Sequence, residues 1–195
     1  MSEPAKKKKS TGSARGFPFE RVICKLFSQW WAGEEGADIF WRTAQSGGRA
    51  TSRKKAGKKT KAHYGDVCAI DPSGDPLMNL FTIDLKRGYP RTDIQGLLEG
   101  HKGERSWHQW ILDAQNDARN AGTPYWMVVQ KRDRRDTIVV TPGNSVNLIY
   151  TEQLKNIGHL IADVSGGKTG LFVTSLDIFF AAYSIPRITS VSRAS

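Results

Sequence analysis

The first clear pattern in the chain is helical. Between Phe17 and Ala32 the apolar residues Phe19, Val22, Ile23, Leu26, Phe27 and Trp30 recur at intervals of three and four, the spacing of one helix face. Pro18 suits a first helical turn, and Gly33 and Gly36 suit a stop. The period then falls to two. Asp38 to Thr43 reads as a strand, and Val67 to Asp71 and Asn79 to Lys86 read as the two arms of a hairpin broken by Pro72 to Pro76. In the second arm Phe81, Ile83 and Leu85 alternate with Thr82, Asp84 and Lys86, which separates an apolar face from a charged one. A short helical segment spans Thr92 to Gly100. Ser106 and Gln109 have the spacing of a capping box, opening a helix that runs to Asn120 and stops at Gly122. Trp126 to Gln130 and Thr137 to Thr141 are predicted strands around the charged turn Lys131 to Asp136, and Leu171 to Leu176 and Asp177 to Tyr183 are predicted as a strand and a short helix. This order defines an α/β fold with a mixed central sheet flanked by helices.

A hairpin folded about Asp75 would set position 66 opposite position 84, so Asp66, Asp84 and Lys86 would share one face near a sheet edge. Two carboxylates placed together suit a hard cation such as Mg²⁺, which keeps several waters and is completed by substrate phosphate. A neighbouring lysine can orient or deprotonate one of those waters. The plainer reading is a surface hairpin carrying ordinary charges. Against it stand the glycine before Asp66, the matching lengths of the two arms and their otherwise apolar content.

Asp66 followed by Asp84-Leu85-Lys86 resembles the motif of the PD-(D/E)xK nuclease superfamily. Upstream, Glu20-Arg21 lies on the first helix and Gln45-Ser46-Gly47 follows the first strand. That order is similar to the archaeal-type Holliday junction resolvases over roughly residues 17 to 100. Two departures stand out: Asp84 occupies a position where those enzymes carry Glu, and a basic insertion separates Ser46 from Asp66. The resemblance implies a restriction-endonuclease-like core. It also implies a site in which Asp66, Asp84 and the Leu85 carbonyl hold Mg²⁺, with Mn²⁺ as a substitute. Glu20 would lie beside the metal and Lys86 would act on the attacking water.

Charge adds a partner to this picture. The formal net charge is +10, yet residues 1–16 carry +4 and residues 49–63 carry +7, leaving −1 for the rest. Cations concentrated in segments with little to bury suit a polyanion, because each phosphate neutralised releases counterions. Candidate DNA contacts are Arg21 and Lys25, a turn apart on the first helix, Ser46 in its Ser-Gly-Gly turn, and Arg49, Arg53, Lys54, Lys55, Lys58, Lys59 and Lys61. The expected organisation is a disordered basic tail at 1–16, a single nuclease-like domain at 17–185 with a mobile basic loop at 49–63, and a C-terminal tail at 186–195. Cys24 and Cys68 stand apart, as buried thiols of a reducing compartment do. No apolar run reaches membrane-span length and the N-terminus has no secretory h-region. The expected setting is therefore intracellular: the cytoplasm or nucleoid of a prokaryote or virus-infected cell, or the nucleus of a eukaryote.

The sequence thus predicts a Mg²⁺-dependent DNA endonuclease, structure-selective and junction-resolving as a first expectation, acting as a homodimer because junctions have two-fold symmetry. The alternatives are a restriction-type or nicking nuclease on duplex DNA, and a basic nucleic-acid-binding protein whose carboxylates are structural.

Overall fold

The computed structural model describes residues 12–43, 64–89, 92–99, 103, 106–149, 160–162 and 170–194. The 49–63 loop, and with it Ser46, Arg49, Arg53, Lys54, Lys55, Lys58, Lys59 and Lys61, lies outside the described residues.

A five-stranded mixed sheet forms the centre. Its strands are β3 (Phe81–Arg87), β4 (Tyr125–Lys131), β5 (Thr137–Pro142), β6 (Leu160–Ala162) and β7 (Leu171–Ser175), in spatial order β3-β4-β5-β7-β6. The β3–β4 pair is parallel and the other pairs are antiparallel. The parallel pair needs a crossover, supplied by α3 (Ile94–Leu98) and α4 (Trp107–Ala121). Ser106 caps α4 by accepting from the Gln109 amide at 3.2 Å, while the Gln109 side chain turns to Asp113 instead of completing the box. Gly122 ends α4 at φ 78.

Alternation along the strands feeds two cores. One face sends Phe81, Ile83, Leu85, Met127, Val129, Val139 and Phe172 against α1 (Gly12–Ala32), α2 (Asp75–Leu80), α5 (Leu176–Ala182) and α6 (Ile185–Ala194). The other sends Trp126, Val128, Val140, Leu171 and Val173 against Leu97 of α3 and Trp107, Trp110, Ile111, Ala114 and Ala118 of α4. The result is a helix–sheet–helix sandwich with the order expected of a restriction-endonuclease-like core.

Several expectations are corrected. Helix α1 begins at Gly12, so Pro18 lies inside it rather than in its first turn. Its apolar positions also divide: Phe19, Ile23 and Phe27 are buried, while Val22 and Leu26 are exposed. The residues between the two arms of the expected hairpin do not form a simple turn. Asp71 accepts from the Ser73 amide and caps a 3-10 turn at Pro72–Gly74, and α2 follows with Pro76 near its start. Proline is tolerated in a helix's first turn because its missing N–H would have had no partner there. Strand β2 (Val67–Ala69) therefore pairs antiparallel with β1 (Phe40–Arg42), in the register Phe40–Ala69, Trp41–Cys68 and Arg42–Val67, and not with β3. Residues 186–195, expected as a tail, belong almost wholly to α6, which buries Ile188 and packs on α2.

Aromatic packing joins the ends of the chain. The Phe27 ring lies 5.2 Å from that of Phe180 and 6.2 Å from that of Phe179, and the Trp30 indole N–H donates to the Phe180 carbonyl at 2.8 Å.

Candidate active site

The site is built along the outer edge of β3. The loop leading into β2 is pressed against this edge: the Asp66 amide donates to the Ile83 carbonyl at 2.7 Å, and the Leu85 amide donates to Asp66 Oδ2 at 2.8 Å. From the other side Thr43 fixes the same loop, its amide donating to the Asp66 carbonyl and its hydroxyl to the Gly65 carbonyl, both at 3.0 Å. Gly65 makes this approach possible. Its φ is 77, and a Cβ there would stand 2.8 Å from the Ile83 carbonyl oxygen. The glycine before the first acid is therefore part of how that acid is delivered.

Asp66 thus reaches Asp84 and Lys86 as expected, by a route other than a hairpin. Asp84 is buried on the face of β3 toward α4, and Lys86, two residues on, donates to Asp84 Oδ2 at 3.3 Å. Burial and then the Asp84 charge push the Asp66 carboxyl up to about 7, against the opposing pull of the Leu85 hydrogen bond and the Lys86 charge. For Lys86 burial works against the cation, but the charges of Asp84 and Asp66 outweigh it and hold the ammonium above its ordinary value. Lys86 is consequently a cation at neutral pH, with three donors and no acceptor.

Within a strand, a residue's N–H and C=O point to the same side. Since Ile83 and Leu85 both bond sideways to Asp66, the Leu85 carbonyl also faces the outer edge. Two carboxylates and a backbone carbonyl make an all-oxygen, anionic donor set with one lysine against two acids. That set fits a hard divalent cation such as Mg²⁺ or Mn²⁺, which fills its remaining positions with water and phosphate.

Glu20 takes a different position. Its Oε2 accepts from Arg42 Nε at 2.8 Å, and its charge presses on Asp66 from nearby. Among the described residues no three of His, Cys, Asp and Glu form a group that could hold a metal, so Glu20 does not join Asp66 and Asp84 in a three-carboxylate cluster. Arg21 and Lys25 are exposed on α1. Cys24 is buried, and burial followed by the charges of Cys68, Glu20 and Asp66 pushes its thiol up to about 12, which makes it an inert core residue. Gln95, on α3 beyond β3, is exposed and donates to Glu99 at 2.5 Å.

Three residues were not anticipated as site residues. Arg42 fixes Glu20; the two-residue alternation with Phe40 could have placed it on the face toward α1. Thr43 carries no sequence signal of its own. Gln130 is buried directly across from Lys86 in the β3–β4 register and donates to the Thr92 carbonyl at 2.8 Å, tying down the segment that follows β3. A buried polar residue in an apolar strand was its visible mark.

A mixed sheet carrying Asp66 and Asp84-Leu85-Lys86 on one edge is the core of a PD-(D/E)xK nuclease. The family described as phage putative PDDEXK endonuclease matches residues 11–188, and the chain belongs to that family. No curated protein and no solved structure matches the chain. Among the described residues no helix is long and apolar enough to cross a membrane.

Proposed function

We propose that the protein is a Mg²⁺-dependent DNA endonuclease whose reaction centre is Asp66, Asp84, the Leu85 carbonyl and Lys86, with Mn²⁺ able to replace Mg²⁺. The observation that carries this reading is the close placement of two carboxylates at a buried sheet edge with only one lysine to balance them. A structural role would gain nothing from that excess charge, since an uncompensated buried carboxylate lowers stability. The cation, when bound, supplies Lewis-acid stabilisation of charge on the phosphate and on the leaving oxygen.

The chain's own groups do the rest. Asp66 and Asp84 fix where the phosphate edge can sit. Lys86, anchored by Asp84, positions or activates the attacking water. Glu20, braced by Arg42, adds negative potential beside Asp66 and offers a place for a further water or ion. Arg21 and Lys25, exposed on the same helix as Glu20, are proposed contacts to the nucleic-acid backbone, and the composition of Ser46 and the 49–63 cations suits the same role.

Selectivity for branched DNA rests on the order of the Glu-Arg, Ser-Gly, Asp and Asp-x-Lys elements along the chain, and with it goes a homodimer matched to a two-fold substrate. The experiment is a panel of four-way junction, flap, nicked duplex and plain duplex, incubated with Mg²⁺, Mn²⁺ or EDTA. Cleavage should need the metal and be fastest on the junction. Equal rates on all four would leave an endonuclease without structure selectivity, and retention of DNA without cleavage in any metal would reduce the protein to a binder.

A further inference from the structure

The β4–β5 hairpin ends in a turn that the proposed reaction centre does not use. From Lys131 to Asp136 the sequence is Lys-Arg-Asp-Arg-Arg-Asp, and the last ladder pair is Lys131 with Thr137. Both ends of the turn are braced. Asp133 Oδ1 accepts from Arg87 Nη2 at 2.5 Å, Arg132 Nη1 lies 3.7 Å from Asp93 Oδ2, and Lys131 Nζ donates to the Arg135 carbonyl at 2.5 Å. These contacts engage Asp133 and Asp93 and leave Arg134 and Arg135 exposed at the tip beside an exposed Asp136.

Arg134 also has φ 61, the only positive φ of a non-glycine residue among the described residues. Turn positions of this kind favour Gly, Asn or Asp, because a larger side chain meets its own backbone there. An arginine held in that conformation, with its side chain pointing to solvent, gains nothing for the fold that glycine would not give at lower cost. Strain retained at an exposed position is a mark of function.

The parallel register places the tip relative to the site. Lys86 lies beside Gln130 and Arg87 beside Lys131, so β4 runs one residue past the level of Lys86 before the turn begins, and the tip stands beyond the same end of β3 as Lys86.

We propose that the β4–β5 tip is a second DNA-binding element, in which Arg134 and Arg135 hold backbone phosphates flanking the cleaved bond. The proposal rests on the endonuclease reading of the site. Its competitor is a solvated basic turn that never meets nucleic acid.

The test is equilibrium binding of the full chain to a fluorescent duplex in EDTA, so that no cutting intervenes, at several salt concentrations between about 50 and 200 mM. Arg134→Gly and Arg135→Ser should each weaken binding about tenfold and flatten the log–log salt slope by ~0.9, and the double variant by twice that. Arg134→Gly should keep or raise Tm because it relieves the positive φ, so its loss of affinity cannot be traced to unfolding. Arg134→Lys should keep the wild-type slope. Superimposable slopes for wild type and double variant would overturn the proposal, as would an Arg134→Lys protein whose slope falls as far as that of Arg134→Gly. Wild type that binds neither this duplex nor a four-way junction, in EDTA or with Ca²⁺ in its place, would overturn the endonuclease reading itself, and this one with it.

Discussion

The two faces of β3 are almost equally hidden from water and chemically opposed. Toward α1 lie Phe81, Ile83 and Leu85, at 1%, 0% and 8% exposure; toward α4 lie Thr82 and Asp84, at 3% and 5%. Burial alone therefore does not distinguish core from site in this strand. What distinguishes them is cost. The apolar face gains about 1.5–3 kcal/mol for each large side chain it hides. The polar face loses hydration of its charges and recovers only part of it through Lys86 and the Leu85 amide. The strand is thus stabilised from one side and spends part of that stability on the other.

The comparison breaks most sharply at Asp84. Asp84→Asn is nearly isosteric and removes only charge, so cleavage should fall by a factor of ~10³ or more while the folded state and DNA binding persist. The check is cleavage rate beside circular dichroism and binding in EDTA; wild-type turnover would remove Asp84 from the site. Lys86→Ala comes next. It should lower kcat by about 10²–10⁴ with little change in affinity, because an oriented water matters only in the transition state. A change confined to KM would make Lys86 a phosphate contact instead. On the opposite face, Ile83→Ala should cost about 2–5 kcal/mol in denaturant unfolding. Its backbone still receives the Asp66 amide, so the surviving folded protein should keep its metal-dependent cleavage.

The smallest effect is a pH dependence. Asp66 holds its proton more tightly in the folded than in the unfolded protein, its carboxyl being raised to about 7 from 3.8. Its contribution therefore lowers stability as pH rises from about 4 to about 7 and levels off above that. Asp66→Asn should leave the metal-free protein unchanged near pH 4 and raise its Tm at pH 8. Added Mg²⁺ should raise the Tm of wild type at pH 8 and leave that of Asp66→Asn unmoved. Parallel melting curves across the pH range would show that Asp66 is not held at a cost.

The legibility of these two faces in sequence was uneven. The alternation from Phe81 to Lys86 gave both faces of β3, and the Ser106 and Gly122 signals gave α4, because each of those depends on neighbours a few residues away. Strand partnership depends on residues far off, and alternation does not encode it. Pro72 and Pro76 looked like breaks in a hairpin, yet both sit at helix starts, where proline is acceptable, so β2 was assigned to the wrong neighbour. The convergence of Asp66 with Asp84 survived that error because Gly65 and Thr43 deliver Asp66 to the same edge of β3. Glu20 was legible as a nearby acid, but its fixation by Arg42 was not, since that ion pair spans two elements whose docking no local pattern reveals. At three residues, β6 was too short to show a period at all.

The aromatic joint between α1 and α5 bears on where this protein can be divided. Every residue of the proposed reaction centre lies between positions 20 and 86, so a fragment ending near residue 100 would carry the complete motif. Yet α1, which carries Glu20, is seated on Phe179 and Phe180, and its Trp30 bonds a carbonyl 150 positions away. Such a fragment would leave Phe27 and Trp30 without Phe179 and Phe180, and β3 without β4. The unit that carries the motif is therefore smaller than the unit that must fold, and a chain still emerging from the ribosome would hold all of the proposed catalytic groups long before its fold was complete.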